Sequence, residues 1–220
     1  MKNKFLKLSI KEIKKNIGNP DLNSILRLVT EENGYSLLSK LNNSIIKKYL
    51  KIAINSKHIF LYILKERKEI IGYSLFARNA EALLEEFDQL KFDILFDLLI
   101  KFKFISILNI LLALTKLDLI MINKKELKKK NKILNLNLLA IQHMSQSKGY
   151  GNYFLQRTLK EIYREYLKFN YVACEAPTLR AFKFYTKKCK FRYIGKKIRV
   201  GKNFFVLKKR YKWNLNIDLR

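Results

Sequence analysis

Apolar and polar positions alternate along this chain in two different periods, and the switches between them mark its elements. After the turn Asn19-Pro20-Asp21, the segments Leu22 to Val29 and Tyr35 to Ile54 carry apolar residues at helical spacing, which predicts two or more amphipathic helices. His58 to Leu64 and Glu69 to Phe76 are β-branched and aromatic around the charged turn Lys65 to Lys68, the pattern of a hairpin. From Asn79 to Lys132 the helical period returns, with Leu83, Phe87, Leu90, Ile94 and Leu98 on one stripe. Ile133 to Ile141 reads as a strand with Asn135 and Asn137 at alternate positions. Asn152 to Phe169 reads as a helix striped by Leu155, Leu159, Ile162, Tyr166 and Phe169. Tyr171 to Glu175 is then a strand, and Thr178 to Lys190 a helix that Thr178 can cap. Arg192 to Val200 and Asn203 to Arg210 form a last hairpin across Gly201-Lys202. Residues 1–220 therefore read as one mixed α/β domain.

Composition narrows the partners. Lys and Arg number 46 against 18 Asp and Glu, a formal charge of +28, which suits a polyanion, an anionic membrane or a nucleotide. Of the 46, however, 36 are Lys and only 10 Arg, in a chain also crowded with Ile, Asn and Leu. The excess looks compositional, and no nucleic-acid motif or Arg-aromatic face appears, so no nucleic-acid partner is expected. Cys174 and Cys189 lack metal-ligand spacing, His58 and His143 have no ligand companion, and no metal is expected. Met1 to Lys14 has no apolar core of a signal peptide, which points to a reducing cytoplasm. The longest uncharged apolar run, Phe104 to Thr115, would span only about 18 Å as a helix, too short for a bilayer of about 30 Å.

Chemistry concentrates in Gln146-Ser147-Lys148-Gly149-Tyr150-Gly151, between a predicted strand and a predicted helix. Glycines two apart allow a tight turn and close approach of an anion, and the amides that follow are the unpaired donors of a helix N-terminus. This segment resembles the Q/R-x-x-G-x-G/A signature of the GNAT superfamily of acyl-CoA-dependent N-acyltransferases. Ala181-Phe182-Lys183-Phe184-Tyr185 is similar to the A-x-x-F-Y of the family's next helix. The chain departs from the family at Thr178, where Asn is common, and at Cys189-Lys190, which replaces a Gly and adds one residue before Phe191.

The resemblance implies a mostly antiparallel central sheet flanked by helices; the helical stretch at about 79–132, between the third and fourth strands, departs from the family as an insertion. The resemblance further implies N-acetyl transfer from acetyl-CoA to a primary amine, with a small molecule such as an amino sugar or sugar-nucleotide amine preferred over a protein amine. Leu139, Ala140 and Ile141 would offer backbone groups to the pantetheine arm, and an amide at Ile141 or a neighbour would polarise the thioester. Gln146, Ser147, Lys148, Gly149, Tyr150, Gly151, Asn152 and Thr178 would hold the rest of the cofactor, and Tyr185 would serve the departing thiolate. No base is evident. Glu175 is the nearest carboxylate, although a strand-end Glu is as readily a solvated group; Asn135 and Asn137 can orient a substrate or a water. A degenerate member that binds CoA without catalysis also fits. Within the insertion, an acidic stretch from Glu81 to Asp97 precedes an apolar stretch and the basic run Lys124 to Lys132, which together suit burial in the domain, a peripheral membrane contact or a homodimer contact.

Overall fold

The computed structural model describes residues 8–13, 18–32, 34, 36, 38–78, 85–101, 107, 119–122, 133–166, 168–199 and 202–211. Eight strands are present among them: β1 (Leu8–Glu12), β2 (Ile59–Glu66), β3 (Glu69–Ala77), β4 (Leu119–Ile122), β5 (Ile133–Ile141), β6 (Tyr171–Ala176), β7 (Arg192–Arg199) and β8 (Lys202–Arg210). They form one sheet in the order β1-β2-β3-β5-β6-β8-β7-β4. Every neighbouring pair is antiparallel except β5 with β6. That pair needs a crossover, supplied by the amphipathic helix α4 (Tyr150–Glu165).

Helices cover both faces of the sheet. α1 (Asn19–Glu32) and α2 (Asn43–Asn55) bury Ile25, Val29, Ile46 and Leu50 against Leu61, Ile63, Tyr73 and Leu75. On the other face α4 buries Phe154, Leu155, Leu159 and Ile162 against Tyr62, Phe76, Leu136 and Val172. β2 and β3 are consequently buried on both sides, which is why their sequences read as nearly continuous apolar runs.

Three features depart from the sequence reading. β1 is a strand that Leu8 and Ile10 alone could not signal; it adds to the sheet by pairing with β2. The insertion contains the expected helix, α3 (Lys91–Ile100), whose Leu98 and Ile94 reach the α1/α2 core, but it also supplies β4, which pairs with β7 at the far edge of the sheet. α4 ends at Glu165, so Phe169 is buried from the following loop while Tyr166 stays 40% exposed. Leu83, the basic run 124–132 and the turn residue Gly201 lie outside the described residues.

Asp88, just before α3, and Asp93 and Asp97, within it, are all paired. Asp88 pairs with Lys91, and Asp93 with Lys48. Asp97, only 3% exposed, accepts from the Asn42 backbone N–H at 3.1 Å, from Asn42 Nδ2 and from Lys101 Nζ at 2.9 Å. This carboxylate therefore fastens the insertion to the entry of α2. Asp97→Ala strands those donors and is expected to cost on the order of 2 kcal/mol, a fall in Tm of about 4–8 °C by calorimetry.

Candidate active site

The parallel β5–β6 ladder runs from Ile133↔Tyr171 to Leu136↔Cys174 and stops there, although both strands continue. Beyond this rung β5 stays paired with β3, and β6 with β8, so the sheet opens as a wedge between them. A β-bulge marks the fork. Leu75 pairs with Leu138 but its neighbour Phe76 pairs with Leu136, so Asn137 is the one residue of β5 with a register partner in neither adjacent strand. The bulge also breaks the alternation expected between Asn135 and Asn137: Leu136 packs on the α4 side and Leu138 on the α1/α2 side. The Asn137 side-chain Nδ2 is enclosed with no hydrogen-bond partner.

At the wide end of the wedge the loop from β5 to α4 turns sharply. Gly149 has φ 88°, a left-handed conformation that favours glycine, and α4 begins immediately after it with the first-turn amides of Tyr150, Gly151 and Asn152. Gly151 meets a different demand, since a Cβ there would lie 3.2–3.3 Å from the Phe184 ring. Its glycine is thus explained by packing of α4 on the segment that carries Tyr185. Tyr150 contributes its backbone to the first turn of α4 while its side chain turns away, the hydroxyl donating to Glu66 at 3.0 Å. Ser147 and Lys148 are exposed at the rim, and Asn152 is half-buried beside Gln156. Thr178 caps the helix α5 (Leu179–Lys183) as expected, its Oγ1 accepting from the Ala181 amide at 3.1 Å.

α5 continues as a single π turn, Phe184–Lys188, closed by the Cys189 amide donating to the Phe184 carbonyl. This turn absorbs the extra residue counted between Tyr185 and Phe191, as wider helical turns do. Lys190 then takes the left-handed conformation, φ 61°, which favours glycine. Lys190→Gly is expected to relieve about 1 kcal/mol of strain and raise Tm by about 2–4 °C.

Tyr185 is buried between the rings of Phe184 and Phe191. Burial, then the neighbouring Cys174 and Cys189 thiols, push its pKa well above the ordinary phenol value, so it is neutral. Tyr185 and Cys174, the β6 member of the last β5–β6 rung, belong to the same buried cluster. Glu175 is one residue further along β6 and, by alternation with the buried Cys174 and Ala176, on the opposite face, where Lys197 Nζ lies 3.4 Å from its carboxylate. The acid and base candidates thus lie on opposite faces of the sheet. Both cysteines are free and buried, and burial raises the Cys189 thiol to about 12. Among the described residues no three His, Cys, Asp or Glu side chains gather as a metal site, and no helix is long and apolar enough to cross a membrane.

Three contributors were missed by the sequence reading. The bulge at Asn137 has no sequence signal, because a bulge is a property of strand pairing. Glu32, at the end of α1, accepts from the His143 amide at 2.6 Å and from Gln146 Nε2 at 2.9 Å, a contact between segments far apart in the chain. Arg180 donates to Gln146 Oε1; its position immediately before Ala181 in the helix motif was the available sign.

No family model and no curated protein matches the sequence. Solved structures do. A Drosophila melanogaster polyamine N-acetyltransferase aligns with TM-score 0.59 at 8% identity over 92% of this chain and 100% of its own. The Escherichia coli ribosomal-protein-S18-alanine N-acetyltransferase aligns with TM-score 0.54 at 8% identity over 96% and 99%. A GNAT-family protein from Desulfovibrio desulfuricans aligns with TM-score 0.54 at 10% identity over 92% and 98%. At such identities the likeness is one of architecture, and the architecture of this chain is the GNAT fold.

Proposed function

We propose that the chain is an acyl-CoA-dependent N-acetyltransferase acting on a primary amine, with a small amine such as an amino sugar or sugar-nucleotide amine as preferred acceptor. The observation that carries this reading is the wedge in the sheet, flanked by the left-handed turn at Gly149 and by the core cluster that holds the neutral Tyr185. Acetyl-CoA fits the residues present. The cradle from Gln146 to Asn152 offers consecutive amides to a diphosphate, and the β5 edge from Leu139 to Ile141, unpaired on the β6 side, offers backbone groups to the pantetheine amides.

The chemistry follows from the fork. The acceptor ammonium loses a proton to Glu175 or to ordered water, and its lone pair attacks the thioester carbon. The peptide of the bulge at Asn137, which has a register partner in neither neighbouring strand, is the donor we assign to the carbonyl oxygen, ahead of the Ile141 region because it lies where the wedge opens. The C–S bond then breaks. Burial makes the Tyr185 phenol a weaker acid than a thiol of reference pKa about 8.5, so its contribution is a hydrogen bond donated to the departing sulfur, and the proton released by the amine balances the thiolate. The proposed cytoplasmic setting is consistent with two free thiols.

Calorimetry with acetyl-CoA, followed by an acceptor screen that monitors thiol release, tests the reading. Saturable binding and amine-dependent release are expected; no acetyl-CoA binding would remove it, and binding without release against any amine would leave a CoA-binding module.

A further inference from the structure

The side chain of Gln146 has only one orientation open to it. Its Nε2 lies 2.9 Å from a carboxylate oxygen of Glu32 and 2.8 Å from the carbonyl oxygen of Ile141. Both partners accept and neither donates, so the NH2 end must face them and Oε1 must face away. There it receives Arg180 Nη2. The second Glu32 oxygen is held by the His143 amide at 2.6 Å, so this carboxylate is committed to the loop. Among the described residues no carboxylate pairs with Arg180, which is exposed. A guanidinium bonded to a neutral amide keeps its full charge and its other N–H donors.

We propose that Arg180 is a diphosphate-reading arm of the cradle, aimed by Gln146, which Glu32 in turn orients. The inference rests on the acetyl-CoA reading and adds to it a residue outside the glycine loop. Backbone amides of the α4 entry face an anion from one side; a planar fork held beside the same loop reaches two of its oxygens together. Glu32 and Gln146 are positioning residues here, and Arg180 is the group that touches the cofactor.

The test compares donors that differ in their phosphates. In Arg180→Gln the ratio of kcat/KM for acetyl-CoA to that for S-acetylpantetheine, which has no diphosphate, is expected to fall about tenfold. Arg180→Lys should recover part of it by restoring charge without the fork. The same loss is expected with acetyl-3′-dephospho-CoA, and a loss confined to full acetyl-CoA would overturn the diphosphate assignment. An unchanged ratio, with both donors weakened alike, would reduce Arg180 to a structural role. Glu32→Gln is expected to lower the ratio partway, and the Glu32→Gln, Arg180→Gln double variant to be no worse than Arg180→Gln alone; additive losses would overturn the orienting chain. If the unsubstituted chain binds acetyl-CoA normally, any of these failures belongs to the inference and leaves the acetyltransferase reading standing, whereas a chain that binds none removes both.

Discussion

Tyr185→Phe is expected to lower turnover about 100-fold while leaving acetyl-CoA affinity and folding stability nearly unchanged. The ring sits in an aromatic shell that Phe fills equally well, and its hydroxyl has no hydrogen-bond partner among the described residues, so nothing in the fold depends on it. The loss is set near the low end of what removal of one transition-state donor costs, because a thiolate leaves readily with little help. Steady-state kinetics beside calorimetry separate the two quantities. Unchanged turnover would remove Tyr185 from the chemistry, and a matching loss of affinity would make it a packing residue. The pH profile adds an independent check. Since the folded-state phenol titrates above its ordinary value near 10, the protonated form persists through the neutral and mildly alkaline range, and no decline in rate below about pH 10 should be traceable to it.

Gly149→Glu is expected to weaken acetyl-CoA binding by about 100-fold or more. Two effects combine. A side chain at φ 88° strains the turn by about 1–2 kcal/mol, and a carboxylate at the α4 entry meets the diphosphate with like charge, a juxtaposition that costs several kcal/mol. Gly149→Ala isolates the first effect, and calorimetry on both should show a small loss for Ala and a large one for Glu. Equal affinities for the Glu variant and the unsubstituted chain would place the diphosphate elsewhere.

Much of the sheet was legible because its strands announce themselves locally. β2 and β3 are apolar runs around a charged turn, and the order from β5 to β8 follows from switches between two periods. The turn into α4 was legible for the same reason, since Gly149 answers a backbone demand that only its own neighbourhood creates. What escaped reading depends on pairing between distant segments. β1 holds too few apolar positions to signal a strand and exists because β2 offers it an edge. The bulge at Asn137 arises from the register of β5 against β3, so the asparagines seemed to alternate regularly when they do not. Glu32 enters the loop from the far end of α1, and only the folded chain brings them together. The extra residue before Phe191 carries no local sign of how it is accommodated; the π turn Phe184–Lys188, which includes Tyr185 itself, supplies the wider turn.

The strand β4 gives the insertion a task separate from any part in the site. β7 has β8 on one side and β4 on the other, so without Leu119–Ile122 its outer row of peptide groups would be the open border of the sheet. Open borders recruit strands from other molecules. β4 is itself a short border strand, and in sequence Lys116 and Asp118 precede it and Lys124 and Lys125 follow, charges of the kind that discourage further addition. Trimming the insertion to simplify the protein would therefore exchange a guarded border for an adhesive one, and the shortened chain should self-associate before it loses its fold.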